Sequence, residues 1–288
     1  MSIQPEASVP ASQVAESRYF VADGIETHYL EAGDPNAQTV ILVHGGGAGA
    51  NAMGNWAACI PLFTENFHVI APEMVGFGDT EKPGGEFEYS QGARNRHMAA
   101  FIEGMGLGPA CIVGNSMGGA TALGVAMERP ELIDRLVLMG SAGLNAQITP
   151  SMAPILNYDF TFEGMRRLVA ALTGPKYEAT EEILASRYES SIRPDARAAY
   201  GKTMAWIGEQ GGLFYEEDAI AAVKHQTLVV SGKDDLVVPF DRGVRFLELL
   251  ENSRGYFMPH IGHWVMIEAP EEFVDVVTSF LQIDEEQL

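Results

Sequence analysis

Five short runs of this chain carry almost no polar side chain: Val40–Val43, Val69–Ala71, Ile112–Val113, Leu136–Met139 and Leu228–Val230. Each is closed by His, Pro, Gly or Ser. A strand with one wet face alternates apolar and polar residues. A continuous apolar run needs cover on both faces, which a parallel sheet sandwiched between helices supplies. Helical patterns lie between the runs, at Gln91–Met105, at Gly118–Arg129 up to Pro130, at Phe240–Glu251 and at Glu271–Leu281 behind Pro270. Pro130 is suited to stopping a helix and Pro270 to opening one, because proline lacks the N–H that an interior turn needs. The alternation predicts an α/β fold with a mostly parallel, twisted sheet flanked by helices.

The alternation fails between about Asn145 and Val223. That stretch shows no strand pattern but several helical ones, at Glu163–Leu172, Glu181–Tyr188 and Ala196–Ile207. The expected organisation is a loosely ordered arm over residues 1–17, a core domain over 18–144 and 224–288, and a helical lid inserted at 145–223. A chain of 288 residues buries enough surface to need no disulfide or metal staple. The two cysteines, Cys59 and Cys111, sit in apolar surroundings and fit a reducing compartment.

Lys and Arg number 18 against 39 Asp and Glu, a net charge of −21. Such an acidic chain lacks the electrostatic footprint of a nucleic-acid binder, and anionic membranes should repel it. The N-terminus has no basic segment leading into an apolar one, and no run of 18 apolar residues occurs. The expectation is a soluble cytoplasmic protein with neither nucleic-acid nor membrane partners.

Chemistry enters at Gly114-Asn115-Ser116-Met117-Gly118-Gly119, directly after an apolar run and before a helical pattern. G-x-S-x-G in that setting is a nucleophile elbow. The turn holds its serine so sharply that the residues two before and two after have no room for side chains. A serine hydroxyl needs a base, and the base an orienting acid, following in the order Ser, acid, His. Asp234 and Asp235 follow the run at Leu228–Val230, and His260 and His263 come next. Asp235 and His263 are favoured because each has cleared its strand. Asp234 then reads as a turn residue and His260 as a satisfied structural histidine. His44-Gly45-Gly46-Gly47 ends the first apolar run. The N–H of Gly46 or Gly47, with that of Met117, can form an oxyanion hole, while His44 reads as structural. No G-x-x-x-x-G-K-[ST] or G-x-G-x-x-G marks a nucleotide site. No metal or organic cofactor is implied.

These residues resemble those of the α/β-hydrolases, and more narrowly of the meta-cleavage product hydrolases, which cut a carbon–carbon bond in ring-opened aromatics. The resemblance rests on His44–Ala50, Gly114–Ala122, Ser186-Arg187-Tyr188-Glu189, Gly232–Pro239 and Gly262-His263-Trp264. Leu138–Leu144, Asn157–Gly164 and Gln210–Tyr215 add a likeness to the carbazole-pathway members. It covers nearly all of residues 20–282 and implies a triad of Ser116, Asp235 and His263. It further implies oxyanion donors at Gly46 and Met117, and substrate contacts from Asn55, Asn115, Arg187 and Trp264. The implied substrate is a 2-hydroxy-6-oxo-6-arylhexa-2,4-dienoate and the implied assembly a homodimer. Attack by Ser116 and attack by His-activated water both stay open, as does a serine esterase with the same triad. Read without the resemblance, Arg187 is a candidate to pair with a carboxylate through its planar fork but more often a solvated arginine, Trp264 is a core aromatic as easily as a pocket wall, and the two asparagines fit turns as well. One departure stands out: Glu73 occupies a turn where the family usually has Asp.

Overall fold

The computed structural model describes residues 15–144 and 150–283. Most of the expected arm, and residues 145–149 of the expected lid, lie outside the described residues. Eight strands form one sheet: β1 (Glu16–Ala22), β2 (Ile25–Ala32), β3 (Thr39–Val43), β4 (His68–Pro72), β5 (Ala110–Asn115), β6 (Ile133–Met139), β7 (Gln226–Gly232) and β8 (Ser253–Met258). Their spatial order is β1-β2-β4-β3-β5-β6-β7-β8. The β1–β2 and β2–β4 pairings are antiparallel and all others parallel. The last two residues assigned to the arm, Glu16 and Ser17, therefore belong to the sheet.

The five apolar runs are five of the six inner strands, β4, β3, β5, β6 and β7. Val40, Ile41, Leu42, Val43, Ile112, Val113, Leu136 and Val137 have no measurable exposure. Each such side chain contributes roughly 1.5–3 kcal/mol on burial, which fixes the sheet's centre. Helices α1 (Ala52–Trp56), α2 (Gln91–Gly104), α3 (Met117–Glu128), α4 (Phe162–Leu172), α5 (Glu181–Ile192), α6 (Pro194–Gln210), α7 (Phe240–Leu249), α8 (Val265–Glu268) and α9 (Pro270–Leu281) follow in chain order. Their starts are set locally: Asn51, Ser90, Thr161 and Thr180 accept from backbone N–H groups of the first turns. Gly211 ends α6 in the left-handed region at φ 75°.

Between β6 and β7 the described residues form helices, including α4, α5 and α6, and no strand of the sheet. The base of this segment is tied by two backbone hydrogen bonds, Gly143 N–H to Leu213 O and Tyr215 N–H to Gly143 O, at 3.0 and 2.9 Å. The chain leaves β3 for β4 on one side and later returns to β5 on the other. Loops at such a reversal diverge and leave a crevice beyond the strands' carboxyl ends. β3, β5, β6, β7 and β8 all point their carboxyl ends toward it.

Candidate active site

Ser116 separates β5 from α3 with φ 54° and ψ −117°, a backbone conformation that L-residues rarely adopt. The turn is clamped: Ser116 N–H donates to Met139 O, and Ser116 O accepts from Ala142 N–H, both at 3.1 Å. A Cβ at Gly114 would lie 2.6 Å from the Gly119 Cα, and one at Gly118 would strike the carbonyls of Val43 and His44. The glycines two before and two after Ser116 are therefore required by backbone contact.

Asp235 and His263 form the neighbouring pair. The His263 Nδ1–H donates to Asp235 Oδ2 at 2.7 Å, with both side chains buried. Asp235 Oδ1 also accepts from the Val237 and Val238 N–H groups, each at 2.8 Å. Three donors hold the carboxylate in one orientation. With Nδ1 engaged, Nε2 is the ring's basic nitrogen, and His263 lines the same cavity as Ser116. Asp234 is not part of this pair; its backbone N–H donates to Ile261 O. His260 corrects an expectation. It is exposed, on a turn at φ 66°, and is not a satisfied interior histidine.

His44 is buried, and that burial pushes its imidazole below the usual range. Neutral, it accepts from Met74 N–H at Nε2 and donates from Nδ1 to Gly45 O at 2.7 Å. In a trans peptide N–H and C=O point oppositely, so this bond directs the Gly46 N–H away from His44. A Cβ at Gly46 would lie 2.6 Å from Met117 Sδ, so the two candidate oxyanion donors sit on adjoining segments. Met117 opens α3, where the first N–H groups lack helical acceptors and the helix dipole favours negative charge.

Arg187, from α5, is buried with its guanidinium 4.7 Å from the centroid of the Trp264 ring. Burial pulls it down to about 10, so it remains charged at neutral pH. Its Nε has no hydrogen-bond partner, and among the described residues no carboxylate pairs with it. The Oδ1 atoms of Asn55 and Asn115 are likewise buried and unpartnered. Asn55, Asn115, Arg187 and Trp264 line one cavity with Gly46, Ser116, Met117 and His263. Arg187 is buried and not solvated, Asn55 lies in α1 and Asn115 in β5 and not in turns, and Trp264 belongs to the core while also lining the cavity. Arg166, Arg167 and Arg193, by contrast, make ion pairs with Glu181, Asp159 and Asp79 near the surface.

Away from Arg187 the cavity wall is largely apolar, with Leu144, Met204, Ile207, Leu213 and Val238, and Ser141 and Arg242 also line it. A wider groove of about 960 Å³ opens at the amino ends of β6 and β7, lined by Pro130, Asp134, Lys224 and His225. It holds none of the residues above.

Residues 38–270 match the family described as alpha/beta hydrolase fold. The chain belongs to that family. A 2-hydroxy-6-oxo-6-(2'-aminophenyl)hexa-2,4-dienoic acid hydrolase of Metapseudomonas resinovorans is 51% identical to this hydrolase over 275 residues, 94% of this chain and 93% of that one. A 2-hydroxy-6-oxo-6-phenylhexa-2,4-dienoate hydrolase of Comamonas testosteroni is 30% identical over 269 residues, 88% of this chain and 91% of the other. A solved serine hydrolase involved in carbazole degradation gives a TM-score of 0.86 at 49% identity, with 94% of this chain and all of that one covered. Within the α/β-hydrolases these likenesses fall among the meta-cleavage product hydrolases, where the sequence motifs had pointed.

Two residues beside the pair were not singled out from the sequence. Gly140, at φ 49°, has no room for a Cβ, which would stand 3.0 Å from His263 Nδ1 and 3.2 Å from Asp235 Oδ2. Its one legible signal is its place after an apolar strand. Glu268 accepts from the N–H before His263, and nothing in its spacing announces that.

Proposed function

We propose that this hydrolase cleaves the carbon–carbon bond between C5 and C6 of 2-hydroxy-6-oxo-6-arylhexa-2,4-dienoates, yielding 2-hydroxypenta-2,4-dienoate and an aromatic acid. The observation that carries the reading is Arg187: a buried cation with no carboxylate partner among the described residues, facing a cavity that also holds a serine and a histidine. A buried charge left unpaired is costly, and in a chain of net charge −21 its retention fits an anionic ligand. The relatives' names supply the ligand class.

The substrate's carboxylate pairs with Arg187, helped by the Asn55 and Asn115 amides, and its conjugated chain lies along Trp264. Ketonisation of the dienol first makes the C5–C6 bond labile, because the leaving fragment can depart with its electron pair spread over a dienolate. His263 takes the Ser116 proton, and Ser116 Oγ attacks C6 while the Gly46 and Met117 N–H groups receive the negative charge on its oxygen. C5–C6 cleavage expels the fragment as a dienolate, which takes the proton held by His263 to become the dienol, and leaves the aroyl group on Ser116. Water, deprotonated by His263, then releases the aromatic acid. Asp235 keeps the imidazole in the required tautomer. The helices inserted between β6 and β7 act as the lid that excludes bulk water and supplies Arg187. The hydrolase works as a cytoplasmic homodimer on this reading, and sedimentation of the purified protein tests the dimer.

The yellow 6-phenyl, 6-(2-hydroxyphenyl) and 6-(2-aminophenyl) dienoates test the main claim, with p-nitrophenyl acetate for comparison. Rapid bleaching of at least one, far above ester turnover, is expected. Arg187→Gln should lower kcat/KM for the dienoate by about 30-fold or more, since losing a buried charge partner costs about 2–5 kcal/mol. It should leave the uncharged ester nearly unaffected. Ester turnover with undiminished dienoate colour would leave only an esterase.

A further inference from the structure

The loop that carries His263 is held by a carboxylate with no part in the chemistry above. Glu268, the last residue of α8, is half-buried. Its carboxylate accepts from the Gly262 N–H at 3.0 Å and from the Gly174 N–H at 2.8 Å. Gly262 directly precedes His263. Gly174 lies two residues beyond the end of α4, in the inserted helical segment. One carboxylate thus spans two chain segments that are 88 residues apart (262 − 174).

The backbones cross at the same point. The N–H groups of His263 and Trp264 both donate to Leu172 O, at 3.0 and 3.2 Å. A Cβ on Gly174 would stand 2.6 Å from His260 O and 2.8 Å from Gly262 N, and one on Gly262 would strike Gly174 N. Neither glycine has a positive φ among the described residues. Close approach, and not conformational freedom, demands glycine here. Two N–H groups meet at a crossing too tight for any other side chain, and Glu268 supplies the acceptor that each needs. Burial, with the Asp235 charge as a lesser contribution, raises the Glu268 carboxyl above its usual range, while its N–H donors pull the other way.

We propose that Glu268 is a positioning residue: it fixes the peptide before His263 against the end of α4, and so aims the imidazole at Ser116. This rests on the assignment of His263 as the base, and the test separates the two ideas. Glu268→Gln keeps the shape but turns an amide NH2 toward one of the two N–H donors. We expect kcat to fall between about tenfold and a hundredfold, the usual consequence of a misplacement of about 1 Å. The fall should appear with the dienoate and with p-nitrophenyl acetate, while the dienoate KM and the inhibition constant of benzoate stay within about twofold. In a His263→Ala background the same substitution should change the residual ester rate by less than about twofold, because the group it positions is gone. Gly174→Ala, which presses a methyl group into the crossing, should reproduce the kcat loss and serves if Glu268→Gln does not fold. Unchanged kcat in a folded variant, a loss carried by KM, or an undiminished effect without His263 would each overturn the proposal. A wild-type enzyme inert toward dienoates would refute the proposed function, yet the ester assay would still judge Glu268.

Discussion

At the scale of single residues, the chain contains two adjacent aspartates and two nearby histidines, and only one pairing can work. Asp235 and His263 meet at 2.7 Å in a buried setting, whereas Asp234 is only part-buried and His260 exposed, each on a turn. Asp235→Asn should lower kcat by roughly 10³–10⁴, because the amide stabilises the wrong imidazole tautomer. Asp234→Asn should leave steady-state rates within about threefold. The reverse ranking would mean that the acid is misassigned. The candidate residues were legible in the sequence because the elbow and the strand–loop order restrict where each partner can fall. Choosing between neighbours was harder, since adjacent positions share a spacing and differ only in the direction the loop turns them. Gly140 and Glu268 were beyond reach, as each acts through a contact between segments far apart in the chain.

At the scale of elements, the turn after β4 shows what a single longer side chain can do. Glu73 is buried; its Oε1 accepts from Ala52 N–H at 3.1 Å and its Oε2 from Asp79 N–H at 2.5 Å. The first of these bonds anchors the start of α1, which carries Asn55. His28 Nδ1 stands 2.8 Å from Oε2, close enough for both hydrogen bonding and charge attraction. Burial opposes charge on both groups, but their mutual attraction wins. Glu73 lies below its usual value of 4.5 and His28 above its usual 6.5. A lowered carboxyl stabilises above its unfolded value and fails as pH falls through its folded one. A raised histidine stabilises below its unfolded value and fails as pH rises through its folded one. Glu73→Gln should therefore cost the most stability between about pH 4.5 and 6.5, on the order of 3–5 kcal/mol. Urea unfolding across that range checks this, and a pH-independent difference would deny the ion pair.

The strands divide by the same logic of burial. Runs covered on both faces announced themselves; β1 and β8 did not. At the sheet's edges most of their residues are exposed, as Glu16–Tyr19 and Arg254–Tyr256 are, so no apolar run survives to be read. β2 alternates only weakly, with Thr27 and His28 buried among its apolar residues.

At the scale of the molecule, a net charge of −21 surrounds a cavity whose one buried guanidinium lies without a carboxylate partner among the described residues. The surface field disfavours an approaching anion, so affinity has to come from a short-range pair formed away from water. On the proposed reading the carbon skeleton meets the largely apolar wall and the reacting carbon meets Ser116, set on a strained turn. What joins these features is the claim that water adds across a carbon–carbon bond. The most direct test is turnover of 2-hydroxy-6-oxo-6-phenylhexa-2,4-dienoate in ¹⁸O-enriched water, with the products read by mass spectrometry. The expected result is benzoate carrying one water-derived ¹⁸O in its new carboxylate, with an equal amount of 2-hydroxypenta-2,4-dienoate. Intact dienoate recovered from an enzyme that still hydrolyses p-nitrophenyl acetate would contradict it.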